Sequence, residues 1–322
     1  MIIVTGAAGF IGSQLIKKLN SENFNAIIAV DKFDNPVKND HLEDLKILER
    51  VDRDLFFDWI TENNEQAEFI FHIGARTDTT EFDRSVFDTL NTGYSKKIWK
   101  YCIDYQIPLI YASSAATYGM GEYGYIDSEE IIPSLRPLNP YGDSKNDFDA
   151  WAISQIEKPF YWAGLKFFNV YGANEDHKGR MASVIWHAFH QIKKTGKMKL
   201  FRSHNPDFRD GEQKRDFIFV QDVVEVCYYL MRLRKHSGIY NLGSGTARTF
   251  LDLTRQVFRS MDAEEVIEFI DTPEDIRDKY QYFTEANMGK LRSIGYEADF
   301  TSLESGIDQY IKGYLIPRYG SI

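Results

Sequence analysis

In the stretch NPYGDSKNDFDAW, Tyr141 stands four residues before Lys145, so on a helix the two side chains share one face. A phenol ionises near pH ~10, too high to accept a proton at neutrality. An ammonium beside it stabilises the phenolate and lowers that value. Such a pair can move a proton to or from a hydroxyl that is being oxidised or re-formed. A chain with 19 tyrosines can produce such a pair by chance, and Tyr141 is the one tyrosine here with a lysine four residues on. Its surroundings carry more weight. Upstream, SSAATYG places Ser113 and Ser114 at the end of an apolar run, where a hydroxyl either assists a substrate oxygen or caps the next turn.

A second such stretch opens the chain. VTGAAGFIG carries Gly6, Gly9 and Gly12 between the apolar run 2–5 and an amphipathic run through Leu19. Glycines let a turn take positive φ and let a pyrophosphate approach the backbone, and the helix start then offers it free N–H groups. Asp31 ends the next apolar run, where an acidic residue accepts from an adenosine ribose. Together these features predict a dinucleotide site. Asp31 favours NAD. Lys32, Lys38 and Arg53 are cations able to hold the 2′-phosphate of NADP, so the loop leaves the choice open.

The elements that must position these groups follow from the hydrophobic pattern. Strand-like runs at 2–5, 26–30, 69–73, 108–113 and 164–169 alternate with helix-length segments such as 84–105. This alternation predicts an α/β fold, a Rossmann-type doubly wound parallel sheet with a smaller α/β substrate-binding domain. Residues 1–170 plus 214–245 are expected to form the dinucleotide-binding domain, and 171–213 plus 246–322 the second. The stretch 203–214 is polar and loop-like.

Composition narrows the function classes. The chain has 322 residues, 43% hydrophobic and 27% charged, enough for a large core without staples. Cys102 and Cys227 lie far apart without metal-ligand spacing, so no metal site and a reduced, cytoplasmic setting are expected. No apolar run approaches a membrane span, and the N-terminus lacks the basic region of a signal peptide. A net charge of −10 argues against a nucleic-acid partner.

In order, TGxxGxxG, a strand-terminal Asp, SSAATYG, YxxxK and NVYG resemble the extended short-chain dehydrogenase/reductase superfamily of nucleotide-sugar enzymes, over nearly the whole chain. Ala115, Ala116 and Thr117 follow Ser114 where that superfamily's dehydratases carry an acidic pair, which disfavours dehydration. A narrower resemblance, to the ADP-L-glycero-D-manno-heptose 6-epimerase family, rests on YASSAATYG, FFNVYG, EDHKGRMASV, KRDFIFVQDV and KYQYFTEANM. It implies Tyr141 and Lys178 as the acid/base groups, with Ser114 assisting and Lys145 holding the cofactor. It implies NADP, with NAD possible, lined by Phe10, Ile11, Asp31, Lys32, Lys38, Asn91, Val170 and Lys178, to which Arg53, Ile73, Gly74 and Ala75 are added. Asn169, His187, Phe201, Arg215 and Tyr280 would contact an ADP-heptose, with Arg180 beside them. The family forms homo-oligomers, here a pentamer. The implied reaction is transient oxidation at C6″ to an aldehyde, followed by hydride return to the other face, since an unactivated carbinol C–H cannot simply be deprotonated. A 4-epimerase on the same fold and a non-catalytic NADP sensor are the alternatives. The chain departs from the family at Ala7, at Arg76 and Thr77, at Arg180 and in a longer 202–214 loop.

Overall fold

The computed structural model describes residues 1–277 and 280–321. Its strands are, in chain order, β1 (Ile2–Thr5), β2 (Ile27–Asp31), β3 (Glu49–Asp52), β4 (Phe69–His72), β5 (Leu109–Ser114), β6 (Trp162–Phe167), β7 (Asn169–Tyr171), β8 (Met198–Phe201), β9 (Lys214–Phe219), β10 (Gly238–Leu242), β11 (Ala247–Thr249) and β12 (Ile267–Ile270). Seven of them form one parallel sheet in the order β10-β6-β5-β4-β1-β2-β3, the doubly wound α/β arrangement expected from sequence.

Strands β1, β2 and β4 are buried along their whole length. Buried on both faces, they read as continuous apolar runs and are legible without the structure. The edge strand β3 has the sequence ERVD and buries only Val51, so its composition gave no signal. The chain builds outward from β1 to β3, then returns to place β4 on the other side of β1. At that reversal, loops leaving the carboxyl ends of β1 and β4 diverge and open a crevice.

Two expected elements are subdivided. The 84–105 segment is helical throughout, but residues Asp88–Gly93 form a π-helical turn between Arg84–Phe87 and Tyr94–Asp104. The 164–169 run ends at Phe167 in the large sheet. Asn169–Tyr171 then pairs with β9 in a three-stranded sheet with β11.

A first core fills the space around the large sheet, and a second joins the helices Val184–Thr195, Phe250–Ser260 and Leu303–Tyr310 to β8 and β9. The two exchange residues. Ala286, Met288, Leu291 and Tyr296, late in the chain, pack into the first core. Phe217, Phe219 and Val220, within the 214–245 stretch expected in the dinucleotide-binding domain, belong to the second.

Candidate active site

Gly6 leaves β1 at φ +68, and a Cβ there would stand 2.6 Å from the Cα of Gly74, just beyond β4. A Cβ on Gly12 would lie 2.1 Å from the Gly6 carbonyl oxygen. These close approaches form a cradle of bare backbone. The helix Phe10–Ser21 starts at Gly9 without a side-chain cap, which leaves its first N–H groups facing the cradle. Ala7, where the family usually has glycine, is buried and donates its N–H to Val30 at 3.3 Å. The cradle therefore suits a dinucleotide diphosphate.

The expected lining residues divide. The three loop glycines with Phe10 and Ile11, the strand-end residues Ile73, Gly74 and Ala75, and Asp31, Lys38, Arg53 and Lys178 line one cleft. The Asp31 carboxylate, expected to meet a ribose, is already engaged. It accepts from the Ala8 N–H at 3.0 Å, the Lys32 N–H at 2.8 Å and the Lys38 ammonium at 2.6 Å, and so holds the loop. Lys32 turns to Asp54 at 2.7 Å and Asp52 at 3.4 Å, drawn by two carboxylates behind β3, and does not line the cleft. Asn91, in the π-helical turn, is buried. It bridges the Arg76 backbone N–H (2.8 Å) and carbonyl (3.0 Å) and donates to Ser144 at 2.9 Å, so it shapes the cleft wall from behind. Val170 lies outside the lining, half-buried between the two cores.

The helix bearing Tyr141 and Lys145 runs Pro140–Ser154, with Asn139 as its cap accepting from Gly142 N–H at 2.8 Å. A Cβ on Gly142 would meet the Ala116 carbonyl at 2.9 Å, so this helix lies tight against the turn after β5. That approach brings Ser114 close enough to act on the Tyr141 phenol, while Ser113 donates instead to Asp149 at 2.6 Å. Ser114 also caps the following turn, accepting from Ala116 N–H at 3.1 Å. The capping reading of that serine is therefore seen directly.

The expected depression of the Tyr141 phenol by Lys145 is not seen. Burial raises the phenol above its ordinary value, with the Ser114 hydrogen bond working the other way. The Lys145 ammonium donates to the Ala112 carbonyl at 2.8 Å, because a buried ammonium needs an acceptor and β5 supplies one. Burial pushes Lys145 down to about 8, opposed by the negative charge of Asp149.

Tyr141, Ser114 and Lys145 do not line the cleft, whereas Lys178 does; it stands in a short turn, Asp176–Met181, with its ammonium 5.3 Å from the Phe10 ring centroid. Burial holds it below the usual lysine range, with Glu175 partly offsetting. Arg180, on the same turn, is exposed, and His187 reaches its carbonyl at 3.4 Å. Phe201, Arg215 and Tyr280 form a separate group. The Arg215 guanidinium lies 5.5 Å from the Tyr280 ring centroid, and Phe201 meets Tyr280 edge-on at 6.2 Å. Arg215 donates to the Lys214 carbonyl at 2.9 Å and to the Gln281 carbonyl, which leaves part of its fork for an anion. Asn169 is exposed on β7, opposite Phe217.

The sequence reading missed the support beneath the site. Asp149 and Lys166 are both fully buried and pair at 2.7 Å. Asp149 also accepts from Tyr111 at 3.0 Å, and Lys166 donates to Thr117 at 2.7 Å. Asp149 follows Lys145 by four residues, which puts it on the face of Tyr141. That spacing was the available signal. His72, Arg76, Thr77, Tyr94 and His177 also line the cleft and had been given no role.

The sequence profile of the NAD dependent epimerase/dehydratase family matches residues 2–243. The chain is 46% identical over 325 residues to the ADP-L-glycero-D-manno-heptose-6-epimerase of Fusobacterium nucleatum, covering 98% of each. A crystal structure of the Helicobacter pylori enzyme of that name aligns at TM-score 0.79 with 26% identity, covering 97% of this chain and 95% of that one. A UDP-N-acetylglucosamine 4-epimerase from Methanobrevibacter ruminantium aligns at 0.82 with 21% identity, covering 98% of both, a likeness of fold alone.

Two measurements test the electrostatics. Asp149→Leu strands the Lys166 charge and lowers stability by about 3–5 kcal/mol in urea unfolding, and adding Lys166→Met recovers most of it. For Lys145, the folded protein loses the proton near pH 8 while the unfolded chain keeps it to about 10.5. The unfolded state then binds more protons between those values, so stability rises with pH across that window. Wild type should gain roughly 3 kcal/mol relative to Lys145→Met from pH 8 to 10.5 in the same assay.

Proposed function

The chain belongs to the NAD dependent epimerase/dehydratase family, and on that premise we propose that it is an NADP-dependent epimerase acting on C6″ of ADP-D-glycero-D-manno-heptose to give the L-glycero epimer. The observation that carries this reading is Lys178, a second proton-transfer group in the same cleft as the phosphate cradle. The 46% identity to a relative of that name supports the substrate.

The cradle, the uncapped helix start and the Ile73–Ala75 wall would hold the dinucleotide, and Lys38 and Arg53 at its adenosine end support NADP. A nicotinamide held there would supply a reversible hydride acceptor. The protein's own task is to manage the proton on the C6″ oxygen. Lys178, with its lowered proton affinity, takes that proton as the C–H bond breaks. Because C6″ of a heptose has two carbon neighbours, the oxidised carbon is a ketone, not the aldehyde expected above. The sugar end then turns within the cleft. Tyr141, whose phenol stays protonated, gives a proton to the same oxygen as hydride arrives on the opposite face, with Ser114 aligning the phenol. Exchange with solvent restores both groups, and no net redox change results. Arg215 with Phe201 and Tyr280 suits a diphosphate and its nucleoside. The same reading makes the chain a cytoplasmic homo-oligomer, a pentamer, whose product enters lipopolysaccharide core. No helix of the described residues is long and apolar enough to cross a membrane.

Incubation with ADP-D-glycero-D-manno-heptose and with UDP-glucose, followed by chromatography, tests the assignment. Heptose epimer alone is the expected product, and turnover of UDP-glucose alone overturns the assignment in favour of a 4-epimerase. Tyr141→Phe and Lys178→Met should each lower kcat by about 10²–10⁴ with NADP+ binding kept. Unchanged kcat in either removes that residue from proton transfer.

A further inference from the structure

His41 follows the short helix Pro36–Asp40, and its side chain is buried. Its Nδ1 stands 3.1 Å from the carbonyl oxygen of Ala8, within the phosphate loop. Its Nε2 stands 2.8 Å from Oδ1 of Asp176, two residues before Lys178. A carbonyl oxygen and an ionised carboxylate only accept hydrogen bonds. Only the doubly protonated, cationic ring can donate to both.

The surroundings agree with that charge. Burial works against ionised Asp176, but the hydrogen bond and charge of His41, with Arg318 at 3.0 Å and Tyr319 at 3.1 Å, hold its carboxyl down at about 2. His177 meets His41 edge-on at 5.2 Å, and burial together with the His41 charge pushes it down to about 4, so it stays neutral. Lys38 and Lys178 are the lysines that face His177.

We propose that His41 is a positioning residue, which as a cation ties the phosphate loop to the segment bearing Lys178 and so fixes the spacing between the cofactor diphosphate and that proton-transfer group. The inference rests on the role given to Lys178 above. The two ends belong to separate parts of the chain, Ala8 in the loop after β1 and Asp176 in the turn after β7. Beside the bond from Asn174 to Ser13 at 2.9 Å, His41 supplies the charged link between them. Displacement of a reacting group by an ångström lowers rate steeply, which is where loss of the link is read.

The test compares wild type with His41→Asn, Asp176→Asn and the double variant, each checked by thermal melting. Asp176→Asn keeps shape without charge and serves where His41→Asn does not fold. His41→Asn should lower kcat by about ten- to a hundredfold with sugar-nucleotide KM kept. It should also weaken NADP+ binding and shift the limb of the pH profile that Lys178→Met abolishes. The double variant should be little worse than either single, because both remove one link. In ¹⁵N-histidine NMR at neutral pH, one ring should carry protons on both nitrogens and be missing from His41→Asn. A His41 ring with a bare nitrogen, a divalent metal that co-purifies and is lost with His41→Asn, or losses that multiply in the double variant would overturn the proposal. If wild type converts no heptose substrate, the functional reading fails, and the NMR signal with NADP+ binding decides His41 independently.

Discussion

The buried pair of Asp149 and Lys166 is the interaction on which the catalytic side of the molecule depends. Taking two charges out of water costs several kcal/mol per ion, so such a pair survives only where every remaining donor and acceptor is used. Here Asp149 accepts from Lys166, Ser113 and Tyr111, and Lys166 also donates to Thr117. These residues come from β5, the turn after it, β6 and the helix Pro140–Ser154. One ion pair thus locks the helix carrying Tyr141 and Lys145 to the strand end carrying Ser114. Any group that transfers a proton needs that rigidity, because it must meet its partner at hydrogen-bond distance.

The phosphate cradle is built on a different principle. It is backbone, with no room for a Cβ at Gly6 or Gly12. Asp31 fixes it from one side through the Ala8 N–H, and His41 from the other through the Ala8 carbonyl. Burial acts on both groups in opposite senses, raising the Tyr141 phenol and lowering the Lys178 ammonium. The fold itself does not choose the substrate, since a 4-epimerase aligns with this chain as well as a heptose epimerase does.

Much of this was legible in the residues. The parallel strands announced themselves because burial on both faces demands unbroken apolar runs. The glycine triplet and the Tyr–Lys spacing are local chemistry with a local signature. β3 escaped because an edge strand with one buried side chain has no such pattern. The fate of Lys32 escaped because Asp52 and Asp54, twenty residues on, had not been placed beside it. The commitment of Asp31 to its own loop, and of Lys145 to a strand carbonyl, were likewise unreadable, since each depends on which backbone group ends up within reach.

The sequence by itself determined the sheet, the cradle and the candidates for proton transfer, because periodicity, glycine and side-chain type are properties of short stretches. Only the tertiary structure decided what those residues are electrostatically. Whether a phenol is raised or lowered, and which carboxylate a lysine or histidine meets, follows from burial and from partners far away in the chain. His41 and Asp176, separated by 135 positions, show the difference: neither has a signature alone, and together they make a charged link across the site.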